Sequence, residues 1–498
     1  MRPIVPFPPK TLTTTPHFLW GVRAGFALIS STLLSGCPYN CKGPSCDEDW
    51  PRTRIGLIDI DSIGIGGKLE NVATTFLEGT NDERAKWALG ASDSGVWIGQ
   101  PEANQVVELS LNLERASSDG TPWTGSGSFG ASVTLPRLDN GQRELWISAP
   151  DQDLGAGAIY RFLPSEGGLD ATEARLRVVG GSAANQFGSV MVRCGDLTGD
   201  GADELLVTAP WFEAPEGSTL ALDSGEESPL SPLSGAVFLL KSEAIFTADG
   251  TVYPWELGPT WWGEATGDQA GAALSCDADH DGDGFLDIVI GAPLVDVSNE
   301  LTDAGRVYLI SGAELPEDGS LADIASVRID GDTAHGWLGM SLQSLDLNPE
   351  DGERALDLAV GSPGSSGGRG HVQIHLGADL ARGGIPKPSY QFTLATKKPG
   401  HFGRWIATGD LDGDARSDLV IGAPDLLVDN NGYDQGRAWL FFGASIELWE
   451  ANGTSALADI RILGDHPFER LGRSPWFLDT DGDGRDELLL PSRARILD

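Results

Sequence analysis

The chain has 498 residues, with 34 Lys and Arg against 73 Asp and Glu and a formal net charge of −39. Such an acidic surface repels nucleic acid and anionic lipid headgroups and attracts divalent cations. The length allows several ordinary domains or one large repeat array; 66 Gly, 30 Pro and short alternating apolar runs favour an all-β repeat over a helical one.

Residues 1–36 stand apart. Arg2, Lys10 and Arg23 precede AGFALISSTLLSG, an apolar run of 13 residues that is too short to cross a bilayer and suits the core of a signal peptide. It ends in Leu34-Ser35-Gly36-Cys37, which resembles the bacterial lipobox. That resemblance implies cleavage after Gly36, export, and a lipid anchor on Cys37. An ordinary secretory signal that happens to contain a cysteine is the plainer alternative. Removing residues 1–36 leaves 31 basic against 73 acidic residues, a formal charge of −42. No later segment is long and apolar enough to span a membrane as a helix. The remainder is therefore expected outside the cytoplasm, tied to a bacterial membrane by its lipid alone and facing the cell surface or periplasm. Residues 37–69 read as a lipidated tether and linker with one candidate strand at 54–60. Cys41 and Cys46 sit close together there, where export permits a disulfide. Cys194 and Cys276 each precede an acidic loop, either bridged or simply buried.

From about residue 70 one unit recurs. Its first mark is a box: Gly99-Gln100-Pro101, Ser148-Ala149-Pro150, Thr208-Ala209-Pro210, Gly291-Ala292-Pro293, Gly361-Ser362-Pro363, Gly422-Ala423-Pro424, then Leu490-Pro491. Ahead of each stands a second: Leu89-Gly90, Phe129-Gly130, Phe187-Gly188, Ala270-Gly271, Leu338-Gly339, Phe402-Gly403 and Leu471-Gly472. A third, a glycine opening a strand, follows most boxes, as at Gly157, Gly235, Gly305, Gly370 and Gly436. Each copy supplies four strand-like pieces separated by Gly and Pro turns, which fits antiparallel blades too small to be stable alone. The expected fold for residues 70–498 is a seven-bladed β-propeller of four-stranded antiparallel blades. The seventh unit lacks an outer strand, and residues 72–78 read as one left over, so this N-terminal strand should close the ring.

Several copies carry an acidic hairpin, densest at 277–293. Carboxylates packed this closely call for a hard cation, and Ca²⁺ takes six to eight oxygen ligands. The marks and the loop together resemble the FG-GAP repeats of the integrin alpha-subunit head, a seven-bladed β-propeller, and their bacterial cell-surface relatives. The resemblance covers about residues 70–498. It implies a cation in the hairpin between first and second strands, held from loop positions one, three, five and nine. Carried over, these are Asp279, Asp281, Asp283 and Asp287 in the fourth repeat, and Asp196, Thr198, Asp200 and Glu204 in the third. The sixth supplies Asp410, Asp412, Asp414 and Asp418, and the seventh Asp479, Asp481, Asp483 and Glu487. The sixth has Ala415 where a left-handed turn favours Gly, a strain of roughly 1 to 2 kcal/mol. The fifth loop, from Asp346 to Asp357, carries extra residues, the second offers only Asn140 and Glu144, and the first has none. Four Ca²⁺ sites are expected, with a structural role, because each ligand set comes from one short loop.

Alternating strand direction puts the acidic loops on one rim and the insertions at 211–234, 294–304 and 425–435 on the other. A protein or polysaccharide partner is expected there, with Trp211, Trp261 and Trp262 as contact residues; packing between blades is the alternative for these tryptophans. Catalytic sets are missing from the pattern. Residues 364–368 match G-x-S-x-G in a turn with no following helix, and His371 and His375 on a strand would stand about 13 Å apart. His335, His401 and His466 precede the second marks of three repeats, on the partner rim. The expectation is a monomeric surface lipoprotein that binds a macromolecule in adhesion or envelope organisation. A secreted propeller hydrolase or lyase acting on an extracellular polymer is the alternative.

Overall fold

A computed structural model describes residues 54–58, 76–78, 88–92, 95–109, 121–212, 233–349, 355–383, 386–427, 435–449, 451–464, 470–479, 482–490 and 494–497. The expected signal peptide, Cys37, Cys41, Cys46, Asp481 and His466 lie outside them.

The fold is an all-β propeller of antiparallel four-stranded blades. Six blades, rather than the seven counted from the repeat marks, are each built from one continuous stretch. Blade 1 runs from Ala88–Ser92 to Trp123–Thr124, blade 2 from Val133–Thr134 to Leu176–Val179, and blade 3 from Met191–Arg193 to Thr260–Trp262. Blades 4, 5 and 6 begin at Ala273–Ala278, Ser341–Leu345 and Trp405–Gly409. The last repeat contributes only Trp476–Leu478 and Glu487–Leu490, and these pair with strands from the other end of the chain. Arg54–Ile58, assigned above to the linker, takes the third place in this composite sheet, and Phe76–Glu78 the outer one. The chain's final strand, Ala494–Leu497, instead adds a fifth strand to blade 6.

Second strands are buried on both faces, because each is sandwiched between neighbouring blades. This explains continuous apolar runs such as Leu205–Ala209 and Asp287–Ala292 in place of simple alternation. Val96, Ile98 and Leu109 of blade 1 pack with Leu489, which joins blade 1 to the composite sheet. Other seams are latched. Gly250–Val252 of blade 3 pairs with the outer strand of blade 2, Gly319–Ser320 of blade 4 with blade 3, and Asn452–Thr454 of blade 6 with blade 5. A Cys194–Cys276 disulfide ties blades 3 and 4 with Cα atoms 5.2 Å apart.

The three sequence marks meet at one joint. The Gly339 N–H donates to Gly361 O in the box of its own repeat, while Gly339 O lies against Gly291 in the preceding box. A Cβ on Gly291 would stand 2.0 Å from that oxygen. Gly305, the third mark of blade 4, bridges to Leu338 beside it. The same joint recurs at Gly403, between Gly422 and Gly361. Glycine is required there because the neighbouring backbone occupies the Cβ position, and Gly339 and Gly403 also have φ of +86° and +84°.

Candidate metal centre

Each acidic loop is a tight hairpin shaped by its own carboxylates. In the fourth repeat, Asp279 accepts from the N–H groups of Gly282 and Gly284 at 2.6 and 2.8 Å, and Asp283 from Phe285 at 2.9 Å. These bonds bend the chain until oxygens of Asp279, Asp281 and Asp283 lie within 4.8 Å of one another. Asp287 stands behind them, fully buried, accepting from His280 N at 2.7 Å and Gly312 N at 3.1 Å. Burial, reinforced by the charges of Asp281 and Asp279, pushes Asp287 up to about 7 against the pull of these donors.

The sixth repeat repeats the design. Asp410 accepts from Gly413 and Ala415, and Asp418 from Leu411 and Gly443. Here oxygens of Asp410, Asp412 and Asp418 draw together within 4.8 Å. Burial pushes Asp418 up to about 7. Ala415 has φ of +69°, the left-handed turn expected of it. An all-oxygen set of converging carboxylates fits a hard divalent cation, whose charge would offset their mutual repulsion. Asp279, Asp281 and Asp283 could hold it in one loop and Asp410, Asp412 and Asp418 in the other, while the expected ligands Asp287 and Asp414 fall outside these two groups.

In the third repeat Asp196 accepts from Asp200 N and Gly201 N. Thr198 Oγ1 instead donates to Glu204 at 3.0 Å, so the longer Glu204 is engaged inside the loop. In the seventh, Asp479 accepts from Gly482 and Gly484, and Asp483 from Arg485. Neither loop brings three described acids within 4.8 Å of one another.

The position-nine acid has a role that sequence reasoning missed. Asp357 of the fifth repeat keeps the bonds of Asp287 and Asp418, accepting from Leu347 N and Gly377 N. In blade 2 the corresponding Glu144 is 1% exposed and paired with Arg161. The acid thus pins the start of the second strand to the hairpin and to the end of the third strand. Its signal was available as an acid at, or immediately before, the first residue of every second strand from repeat two onward. The loops also interlock: Asp410 N donates to Asp486 of the composite sheet, and Leu356 N of blade 5 to Asp279 O of blade 4.

On the other rim the tryptophans behave differently from expectation. Trp261 and Trp262 are 0% and 7% exposed, packed in the cores at blades 3 to 4 and 2 to 3, so they present no plane to a partner. Trp261 Nε1 donates to Pro316 O and Glu317 O of the strap that crosses it. Trp211 is half-buried, and Phe212 after it is buried. Ser365 is buried against Ser362 Oγ at 2.7 Å, and His371 and His375 are buried at the two ends of one strand.

Residues 271–310 and 402–441, which contain both carboxylate clusters, match the model of the FG-GAP repeat. The chain carries FG-GAP repeats. It is 31% identical over 205 residues to phosphatidylinositol-glycan-specific phospholipase D of Rattus norvegicus, covering 40% of this chain and 23% of that protein. It is 34% identical over 173 residues to integrin alpha-PS2 of Drosophila melanogaster, covering 32% and 12%. With integrin alpha-M of Mus musculus it shares 32% over 178 residues, covering 35% and 15%. The chain spans less than a quarter of the length of each of these relatives.

Proposed function

We propose that this protein is an exported, lipid-anchored propeller whose acidic loops bind Ca²⁺ at about four sites. The opposite rim binds an extracellular protein or polysaccharide, in adhesion or envelope organisation. In this reading the composite sheet serves as a seventh blade, the chain acts as a monomer through Cys37, and it is a binding module rather than an enzyme. The observation that carries the reading is the separation of the rims. The carboxylate clusters lie beside the start of the second strands and are held by N–H groups of their own hairpins and of the third-strand ends, which suits cations that brace the scaffold. The connectors at the other ends of those strands are left for recognition, as expected of loops on a rigid frame. The part-length likeness to integrin alpha chains supports it. The test is binding of the purified chain to envelope polysaccharide and matrix protein fractions, in Ca²⁺ and in chelator. Saturable, calcium-dependent retention of one fraction is expected, and no retention by folded protein would sink the reading.

The likeness to a phospholipase D favours a second reading, a hydrolase or lyase acting on an extracellular polymer. Release of soluble product from such a polymer by the purified chain would support it and count against the first.

A further inference from the structure

The seam between blades 4 and 5 is built unlike its neighbours. In blades 2, 3, 4 and 6 the third residue after the glycine that opens the third strand is a buried aromatic: Tyr160, Phe238, Tyr308 and Trp439. Blade 5 has Gln373 there, with His371 and His375 on the same face of the strand to either side, and all three are 4% exposed or less. Their cross-strand neighbours Leu358 and Val360 pack with Val307, Leu309, Val327 and Ile329 of blade 4, so this polar stripe faces an apolar wall. Reinforcements seen at other seams are missing here among the described residues. Latching strands cross from blade 3 to 2, 4 to 3 and 6 to 5, whereas the outer strand of blade 4, Val327–Asp330, pairs only with the third strand of its own blade. At the hairpin ends, Asp203, Ser417 and Asp486 each exchange two hydrogen bonds with the blade before, at Arg137, Asp346 and Asp410. Leu356, in the same place in blade 5, has no side-chain acceptor and donates one bond, from its N–H to Asp279 O at 2.7 Å.

Gln373 sets the protonation of both rings. Its Nε2 lies 3.4 Å from His371 Nε2, which must accept, and its Oε1 lies 3.3 Å from His375 Nε2, which must donate. His375 Nδ1 is then a bare lone pair, buried with no hydrogen-bond partner. A proton there would meet no acceptor, and a proton on His371 Nε2 would point at an N–H group. The amide has a single carbonyl end, so turning it over serves one imidazolium only. Burial holds both rings below the usual histidine range, His375 down to about 4. Among the described residues, the charges acting on them are Asp332, in the connector ahead of blade 5, on His371, and Asp379, in the short helix Gly377–Leu380, on His375. Asp379 is itself paired with Arg382. His280 of the blade 4 hairpin, whose Nδ1 lies 2.8 Å from Leu356 O, is a further titratable group at this seam.

We propose that the seam between blades 4 and 5 is an acid-sensitive joint in the ring, closed while His371 and His375 are neutral and opened when they take up protons. Opening brings both imidazoles into water, where each is free to accept a proton. The closed seam is stable above the ordinary histidine range and weakens as pH falls below it, because the open form then binds more protons than the closed one. The joint requires neither Ca²⁺ nor a bound partner.

Hydrogen exchange at single-residue resolution, on the full chain and referred to the intrinsic rate at each pH, tests this. The Leu356 amide reports on this seam, and the Ser417 amide, which donates to Asp346 O, on the seam from blade 5 to blade 6. From pH 7.5 to pH 5 the protection of Leu356 should fall at least about tenfold further than that of Ser417. His371→Gln combined with His375→Gln keeps an amide group at each Gln373 contact and removes both titrating rings, with His280 left in place. This variant should lose most of the excess. If it does not melt cooperatively at pH 7.5, His375→Gln alone carries the comparison and should reduce the excess severalfold. A parent in which the two amides lose protection equally overturns the proposal, as does a variant that keeps the parent's excess.

Discussion

The Glu144 carboxylate holds the Arg161 guanidinium through both its oxygens, 2.7 Å from Nε and 2.5 Å from Nη2, in a blade that lacks an acidic loop. The third guanidinium nitrogen donates to Ile245 O in the next blade. Arg161 therefore supplies from a side chain the compensation that loop and strand-end N–H groups supply to Asp287 and Asp418. Replacing it by Met leaves a carboxylate buried without its partner and should cost about 3 kcal/mol at neutral pH. The double variant Glu144→Gln with Arg161→Met should regain most of that loss. Urea midpoints of the two variants and the parent decide it, and an unshifted midpoint for Arg161→Met would refute the assignment.

Calcium should matter to the loops with clustered carboxylates and not to the position-nine acid as such. A site held at a hundredfold excess of ligand over its dissociation constant contributes about 2.7 kcal/mol. Chelation should lower the melting temperature, and Asp279→Asn or Asp410→Asn should each remove part of the calcium response. Asp357→Asn, in the fifth repeat, should lower the melting temperature equally in Ca²⁺ and in chelator, since its amide keeps one acceptor oxygen and loses one of the two bonds from Leu347 and Gly377. A parent melting curve identical at every calcium concentration would remove the cation sites.

Much of this was legible because the repeat writes the same physical constraint several times. Gly291, Gly339 and Gly305 are marks in sequence because three backbone segments meet where a Cβ has no room, and each joint requires that chemistry again. The acidic loops were legible for the same reason. The composite sheet was not, because nothing in residues 54–58 says that their partner is Glu487–Leu490 more than 400 residues away. Trp261 and Trp262 misled because aromatic residues serve packing and recognition equally well, and only burial separates the two.

Ala415 offers a test of local strain. It occupies the turn position held by Gly201, Gly284 and Gly484 in the other acidic loops, with φ of +69° against +94°, +98° and +89°. Ala415→Gly should raise the melting temperature, with a gain of about 0.5 to 1 kcal/mol once the greater chain entropy of glycine is set against relief of the left-handed strain. The gain should appear in chelator as well as in Ca²⁺, because the bond from Ala415 N to Asp410 shapes the turn either way. A lower melting temperature in the glycine variant would show that the turn carries no such strain.

Asp268 gives the fold a pH dependence of definite sign. It is 4% exposed, and its Oδ2 accepts from Ala265 N at 2.7 Å. Burial, with the charges of Glu264 and Asp296, pushes it up to about 7 in spite of that donor. The unfolded carboxyl ionises near its model value of 3.8, so between these limits the folded chain holds the proton more tightly. The contribution of Asp268 is therefore greatest at low pH, declines as pH rises through this window, and levels off above 7. Asp268→Asn keeps an acceptor for Ala265 without a charge to bury. In saturating Ca²⁺, it should melt with the parent near pH 4 and progressively above it towards pH 8. A variant that melts below the parent at pH 8 would mean that the ionised carboxylate is stabilised in the fold, contrary to its surroundings.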